Sequence, residues 1–393
     1  MISIPLREAA QLVIDHRGKT PKKLGGDWTE SGHRVVSALN IKNSRVDSNE
    51  HHYISTEMYE KWMPDPLRAG DVLVTSEAPL GEVAFLDRDV EWALGQRLFA
   101  LRARPEILDG RYLYYLLKGG KPREELFARA TGTTVLGIRQ AELVRIQLEL
   151  PSLGEQRAIA ATLGALDDKI ESNRQLAERA SAVIDASASQ LLARTSTEVL
   201  PLADLVEFNR LSVKPHSTDA LRYIDIASVS PGQIDSVQEL TWDEAPSRAR
   251  RGVSDGDVIY STVRPGNRAF ALIVDPTPGS VASTGFAVMS PSVRLGSSML
   301  TSVVGAPEFA EYLESVAHGS AYPAVGIQAM GSYPVVVPKE AVVAEQFEAD
   351  TMPLRRRVAQ ARAESERLAA LRDTLLPELL SGRMRVPVEG VAA

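Results

Sequence analysis

Small or apolar residues recur along one stretch of the chain at Ile159, Leu163, Leu166, Ile170, Asn173, Ala177, Ala180, Ile184, Ser187 and Leu191. The alternating steps of four and three are the seam of a coiled coil. The positions between are mostly Glu, Asp, Lys, Arg and Gln, a solvated face. No Gly falls between Gly164 and Arg194, and no Pro between Pro151 and Pro201. The pattern predicts a helix over Gln156–Arg194, 39 residues, or roughly 58 Å at about 1.5 Å per residue. A second stripe, Leu354, Val358, Ala361, Leu368, Leu371, Leu375 and Leu379, predicts a partner helix from about Ala344 to Leu380, ended or kinked by Pro377. Two long apolar stripes in one chain are buried most simply by antiparallel pairing.

Elsewhere the pattern changes to short strand-like runs punctuated by Gly, Pro and Asp: Val72–Thr75, Glu82–Leu86 and Leu98–Leu101, then Val258–Thr262, Ala269–Val274 and Phe286–Met289. Tyr112–Lys118 and Glu308–Val316 read as short helices. The two sets repeat each other. GDVLVTSEAPLGEVAFLD opens at Gly70-Asp71, and GDVIYSTVRPGNRAFALIVD opens 186 residues later at Gly256-Asp257. ATGTTVLGIRQAELVRIQLELP ends at Pro151 and AHGSAYPAVGIQAMGSYPVVVP ends 187 residues later at Pro338. Val35–Ile41 pairs with Tyr223–Val229, and Pro5-Leu6 with Pro201-Leu202. Landmarks kept in order at a nearly constant offset indicate a duplicated unit of about 190 residues, a domain duplication and not a solenoid. The fold class expected is α/β (α+β), with two strand-rich globular domains in tandem repeat separated by two long antiparallel coiled-coil helices.

The chain has 393 residues and no Cys, which excludes a disulfide framework, Cys-ligated zinc, Fe–S clusters and a cysteine nucleophile. No apolar window is long enough for a transmembrane helix, and no signal peptide is read, so a cytoplasmic location is expected. The net charge of −7 is unevenly spread: residues 1–150 hold 21 basic and 21 acidic side chains, residues 200–343 hold 10 and 15. Taken whole, this is not a basic nucleic-acid footprint, but it leaves room for local basic clusters.

Catalytic signatures fail on inspection. Gly18-Lys19-Thr20 has Val13 where a phosphate-binding loop needs Gly. Asp167-Asp168-Lys169 imitates a metal-nuclease motif but lies on the helix, where a solvated turn is expected. His51-His52 has no accompanying ligand spacing, so no metal is expected. Neither a Gly-x-Ser-x-Gly elbow nor any Pro-Pro occurs. The duplicated landmarks are Gly, Pro, Gln and apolar residues, which shape a fold and do not transfer protons.

The helix openings LPSLGEQRAIAATLGALDDKI and VPKEAVVAEQFEA, the closing LRDTLLPELLSGRMRV, and the globular segments HRGKTPKK and GDVLVTSEAPLGEVAF resemble type I restriction–modification specificity (S) subunits over nearly the whole chain. The resemblance implies a first target-recognition domain at 1–151, a conserved spacer helix region at 152–196, a second target-recognition domain at 197–338, a second helix region at 339–385 and a flexible tail at 386–393. It also implies a non-catalytic reader of an asymmetric bipartite double-stranded DNA target. Two methyltransferase (M) subunits would dock on it, joined by restriction/translocase (R) subunits. The chain itself would hold no cofactor; S-adenosylmethionine, ATP and Mg would be bound by those partners.

DNA contacts are then expected on loops. Arg17, Lys19, Thr20, Lys22 and Lys23 form the densest basic run of the first copy, and Arg264, Asn267 and Arg268 offer forks and an amide suited to base edges in the second. Thr133 and Thr134 in one copy, and His318, Ser320 and Tyr322 in the other, stand at equivalent places. The bland readings are an exposed soluble loop for the first set, a hairpin turn for the second, and a turn requirement for the duplicated Gly. The acidic balance suggests that partners supply much of the phosphate clamp. Two other classes stay open: a coiled-coil protein-interaction adaptor without DNA readout, whose paired basic loops would lack a purpose, and an enzyme hidden in the heads.

Overall fold

A computed structural model describes residues 2–47, 52–214, 220–319 and 322–387. It divides into two compact units, residues 1–169 with 367–393, and residues 170–366.

The first unit is built on strands β1 (Ala10–Asp15), β2 (Val72–Thr75), β3 (Val83–Phe85) and β4 (Leu98–Ala103), in the sheet order β1-β4-β2-β3. All pairings are antiparallel. Side chains alternate across the sheet as strand geometry requires. Val72, Val74, Phe99 and Leu101 enter one core, and Leu73, Leu98 and Ala100 enter another. Helices α1 (Gly110–Lys118) and α2 (Lys121–Ala128) follow, the first capped by Asp109, whose carboxylate accepts the Tyr112 N–H. The chain leaves the head through α3 (Leu153–Arg194).

The second unit repeats the plan with β5 (Val206–Phe208), β6 (Val258–Ser261), β7 (Phe270–Leu272) and β8 (Phe286–Pro291), ordered β5-β8-β6-β7. Helices α4 (Ser297–Gly305) and α5 (Pro307–Ser315) correspond to α1 and α2. Each copy therefore has two consecutive short helices where the sequence pattern revealed one. The chain closes with α6 (Ala341–Leu380).

The duplicated Gly-Asp pairs explain themselves. Gly70 and Gly256 both take positive φ, at 89° and 85°, a region glycine enters without a Cβ penalty. The following aspartates are buried and close the same turn: Asp71 accepts the Arg68 N–H at 2.8 Å, and Asp257 accepts the Ser254 N–H at 2.7 Å. The second acceptor has diverged. Asp71 takes two N–H groups of Arg102, each at 2.8 Å, whereas Asp257 takes the Ser290 hydroxyl at 2.7 Å.

The long helices pair antiparallel within each unit. In the first, Ile159 and Leu163 share a core with Leu376 and Leu379, and Arg372 donates to Asp167 at 2.7 Å. In the second, Asn173 donates to Glu364 at 2.9 Å and Arg355 to Asp185 at 3.2 Å, so α6 recedes as α3 advances. Every seam position read from the sequence of α3 is buried or half-buried.

The second stripe needs correction. Leu354 and Leu371 are exposed, and the inner face carries Arg355 and Arg372 in their neighbourhood. Arginine stems can pack among apolar groups while their heads find carboxylates, which a pattern of apolar letters does not register. Pro377 does not end α6, which continues to Leu380. Asp167-Asp168 is a solvated turn only in part, with Asp168 exposed and Asp167 half-buried. Asp167 also accepts the Tyr115 hydroxyl at 2.6 Å, and Asp168 accepts from Arg111 at 2.5 Å.

Candidate nucleic-acid interface

In the first unit the basic run follows β1, turning at Gly18 (φ 88°). Arg17, Lys22 and Lys23 are exposed and Lys19 is half-buried, and three of the four cations have acceptors on the chain. Arg17 forks onto Asp15 at 2.8 and 2.7 Å, donates to the Ile138 carbonyl at 3.1 Å, and lies 4.4 Å from the centre of the Phe99 ring. Lys19 donates to the Trp62 carbonyl at 2.8 Å, and burial lowers its pKa. Lys23 donates to the Gly18 carbonyl at 2.9 Å, and the Thr20 hydroxyl accepts the Lys23 N–H at 3.4 Å. Lys22 is exposed. Burial, and then the neighbouring Lys19, pull the His16 imidazole down to about 4.

The Arg17–Ile138 bond sets this run beside a loop whose neck is closed by Thr131 and Gly137, with N–H···O distances of 2.9 Å both ways. Gly132 (φ 122°) is required there, since a Cβ would stand 2.1 Å from the Val135 carbonyl oxygen. The loop leaves Thr133, Thr134, Val135 and Leu136 exposed. The second unit builds the same device 187 residues later. His318 and Ala324 exchange bonds of 3.0 and 2.9 Å, and Gly319 takes φ 100°. Ile138 donates to the Ser76 carbonyl at 2.9 Å, as Val325 does to that of Thr262.

The tips differ. Val135, 51% exposed, corresponds to Tyr322, 70% exposed. The Arg264 guanidinium lies 4.6 Å from the Tyr322 ring centre. Arg264 stands at φ 48°, as its counterpart Ala78 stands at φ 50°. An arginine in that sparsely populated region is strained, and such strain marks candidate functional positions. Here it carries the guanidinium onto the ring, where cation–π attraction holds it.

Asn267 and His318 are exposed nearby in the chain, at the turn and the loop. Arg268 turns inward and donates to the Gly305 carbonyl. Ser320 lies outside the described residues. Thus the structure joins Arg17 to Ile138, beside the loop at 131–137, in one head and Arg264 to Tyr322 and Pro323 in the other. Val135 and Leu136 escaped the sequence reading, which looked for polar side chains; the 187-residue offset from Tyr322 was the available signal. Chemically, the first tip offers apolar surface suited to a thymine methyl. The second offers a ring, a fork and an amide suited to stacking and to purine edges. Among the described residues no group of three or more His, Asp or Glu is placed to hold a metal ion, and no helix is long and apolar enough to cross a membrane.

A duplicated head with paired helices in each unit, and a loop neck of the same geometry in each head, defines a class of two-headed proteins. Residues 6–181 match the family model of the type I restriction modification DNA specificity domain. It is similar to the type I restriction enzyme MjaVIII specificity subunit of Methanocaldococcus jannaschii, 26% identical over 39% of this chain and 37% of that one. It is also similar to the MjaIX specificity subunit of the same organism, 31% identical over 27% and 24%. The matched stretches thus span well under half of these relatives' own lengths. In fold it resembles the type I restriction–modification S subunit from M. genitalium, with a TM-score of 0.62, 19% identity, and 96% and 95% of the two chains covered.

Proposed function

We propose that this chain is the sequence-reading subunit of a type I restriction–modification assembly and performs no chemistry itself. Each head reads one half of an asymmetric, bipartite DNA target, and α3 with α6 sets the unread gap. Methyltransferase subunits holding S-adenosylmethionine, and translocating restriction subunits using ATP and Mg, dock on it. The observation that carries this reading is the loop built twice on the same neck with different tips, Val135-Leu136 against Tyr322 under Arg264. Equal necks serve equal tasks; unequal tips serve unequal half-sites. Phosphate contacts position a protein and base contacts specify sequence. With net charge −7 and Arg17, Lys19 and Lys23 each already bonded to an acceptor on the chain, the chain alone has little with which to grip phosphates.

The test is a duplex-binding titration over a range of salt, with and without a methyltransferase subunit, together with a methyl-transfer assay. The expected result is weak binding and no transfer by the chain alone, and salt-sensitive, sequence-specific binding and adenine methylation with the partner. Methyl transfer by the pure chain would overturn the reading. Partner binding without any DNA contribution from the heads would favour the adaptor alternative.

A further inference from the structure

The second unit holds a cavity of about 780 Å³ between its head and the stretches of α3 and α6 that pack on it. That is within the range of small-molecule sites. Arg268, Arg355 and Arg362 line it together with apolar groups such as Phe270, Leu192 and Val358. A guanidinium has five N–H donors, and each of these three uses one terminal nitrogen on the protein. Arg268 donates to the Gly305 carbonyl and Arg362 to the Gly232 carbonyl. Arg355 donates to the Ser302 hydroxyl at 2.6 Å, the Ser298 carbonyl at 3.3 Å and Asp185 at 3.2 Å, all through Nη2.

The other edges have no such partners among the described residues. Arg355 is 8% exposed, and its Nε is buried without a hydrogen-bond partner; the Nε of Arg268 is buried and unpartnered as well. Buried donors left this way are uncommon in folded proteins and call for an explanation. Three guanidiniums line the cavity against two lining carboxyls, Asp185 and Glu366, while Glu348, Asp235 and Glu178 act on them from outside the lining. Asp185 is taken by Arg355 and by the Ser302 hydroxyl at 2.6 Å. The other lining carboxyl, Glu366, has its pKa raised by burial and by Asp235. Burial, and then the charge of Arg355, lower the pKa of Arg362. Cations forced together in a poorly solvated site are relieved by an anion between them.

We propose that this cavity binds a small organic phosphate monoester, its phosphate held by the free edges of Arg268, Arg355 and Arg362 and its apolar body lying on the aliphatic and aromatic lining. Phosphate is favoured because guanidinium edges match its oxygens in pairs. The site also bears on recognition. Arg268 ends the turn whose outward residues are Arg264 and Asn267, while Arg355 and Arg362 belong to α6. An occupant therefore ties the reading turn to the spacer helix and acts as an effector of the second head.

The test is calorimetric titration of the full chain with phenyl phosphate, inorganic phosphate and phenol. Phenyl phosphate should bind once per chain, at least tenfold tighter than inorganic phosphate, and phenol should not bind. R362Q and R268Q should each weaken phenyl phosphate at least tenfold while unfolding as the parent does; Arg355 is left intact because it also holds the fold. Absence of saturable binding, or unchanged binding in both variants, overturns the proposal. A short DNA duplex serves as competitor: no displacement supports a free organic phosphate, whereas displacement assigns the site to a nucleic-acid backbone and overturns it.

Discussion

Replacing Asp167 by Ala should loosen the first unit by about 2–3 kcal/mol. Its carboxylate accepts the Tyr115 hydroxyl at 2.6 Å and Arg372 at 2.7 Å, and so ties α1, α3 and the end of α6 together. Tyr115 is fully buried, and burial followed by the Asp167 charge holds its pKa well above the ordinary value. Hydrogen bonds to a charged group contribute about 1.5–3 kcal/mol each, which sets a ceiling of ~6 kcal/mol. The loss falls short of that ceiling because Arg372 keeps a second carboxylate, Asp373, at 2.7 Å, and its charge is not stranded. What remains is mainly a buried hydroxyl without its acceptor. D167N, which keeps the shape and loses the charge, should cost about half as much. The assay is urea denaturation of the full chain, with hydrogen exchange followed at the amides of α1, in a double-mutant cycle with Y115F. Exchange in α1 should quicken roughly 30- to 150-fold in D167A, with a coupling to Tyr115 of ~1 kcal/mol or more. Losses that simply add, or unchanged exchange in D167A, would refute the reasoning.

Other outcomes follow from the same structure. The His16 pKa of about 4 lies below its ordinary 6.5, so the first unit should be fully stable above pH 6.5 and lose stability as pH falls toward 4; urea midpoints across that range should show a slope that H16Q removes. Gly132→Val meets both the φ of 122° and the Val135 carbonyl, so it should distort the loop and weaken reading of one half-site at least tenfold, with the global unfolding midpoint little changed. Inserting one heptad into α3 and a matching one into α6 preserves the seam and adds about 10 Å. The gap in the methylated motif should lengthen by roughly three base pairs at ~3.4 Å each, with weaker binding and unchanged half-site sequences.

Much of this architecture was legible in the letters because it rests on local rules. The seam of α3 is a periodicity, the Gly-Asp turns demand a glycine and a short acceptor, and the loop necks recur at one offset. Partner choice was not legible. Arg17 and Lys23 are exposed, as their letters suggest, but each also finds a local acceptor, Asp15 two residues back and a carbonyl five residues back, while Lys19 reaches the Trp62 carbonyl across the fold. Arg355 and Arg372 have no place in a stripe of apolar letters, yet Asp185 and Asp167 draw them inward. The tips were half legible: Tyr322 was named for its place in the repeated loop, but Val135 and Leu136 have no polar group to draw attention, and only the repeat maps them onto the same place.

The central claim, that the two heads read different halves of one DNA target, is tested most directly by mapping methylated adenines genome-wide in cells carrying the chain with its methyltransferase partner, for the parent and for R264A. The account predicts an asymmetric motif of two short specific halves around an unread gap. In R264A one half should relax, losing about 1–3 kcal/mol of discrimination at a single base pair, while the other half and the gap stay as they were. A contiguous motif, identical halves, or a parent motif unmoved by R264A would contradict it.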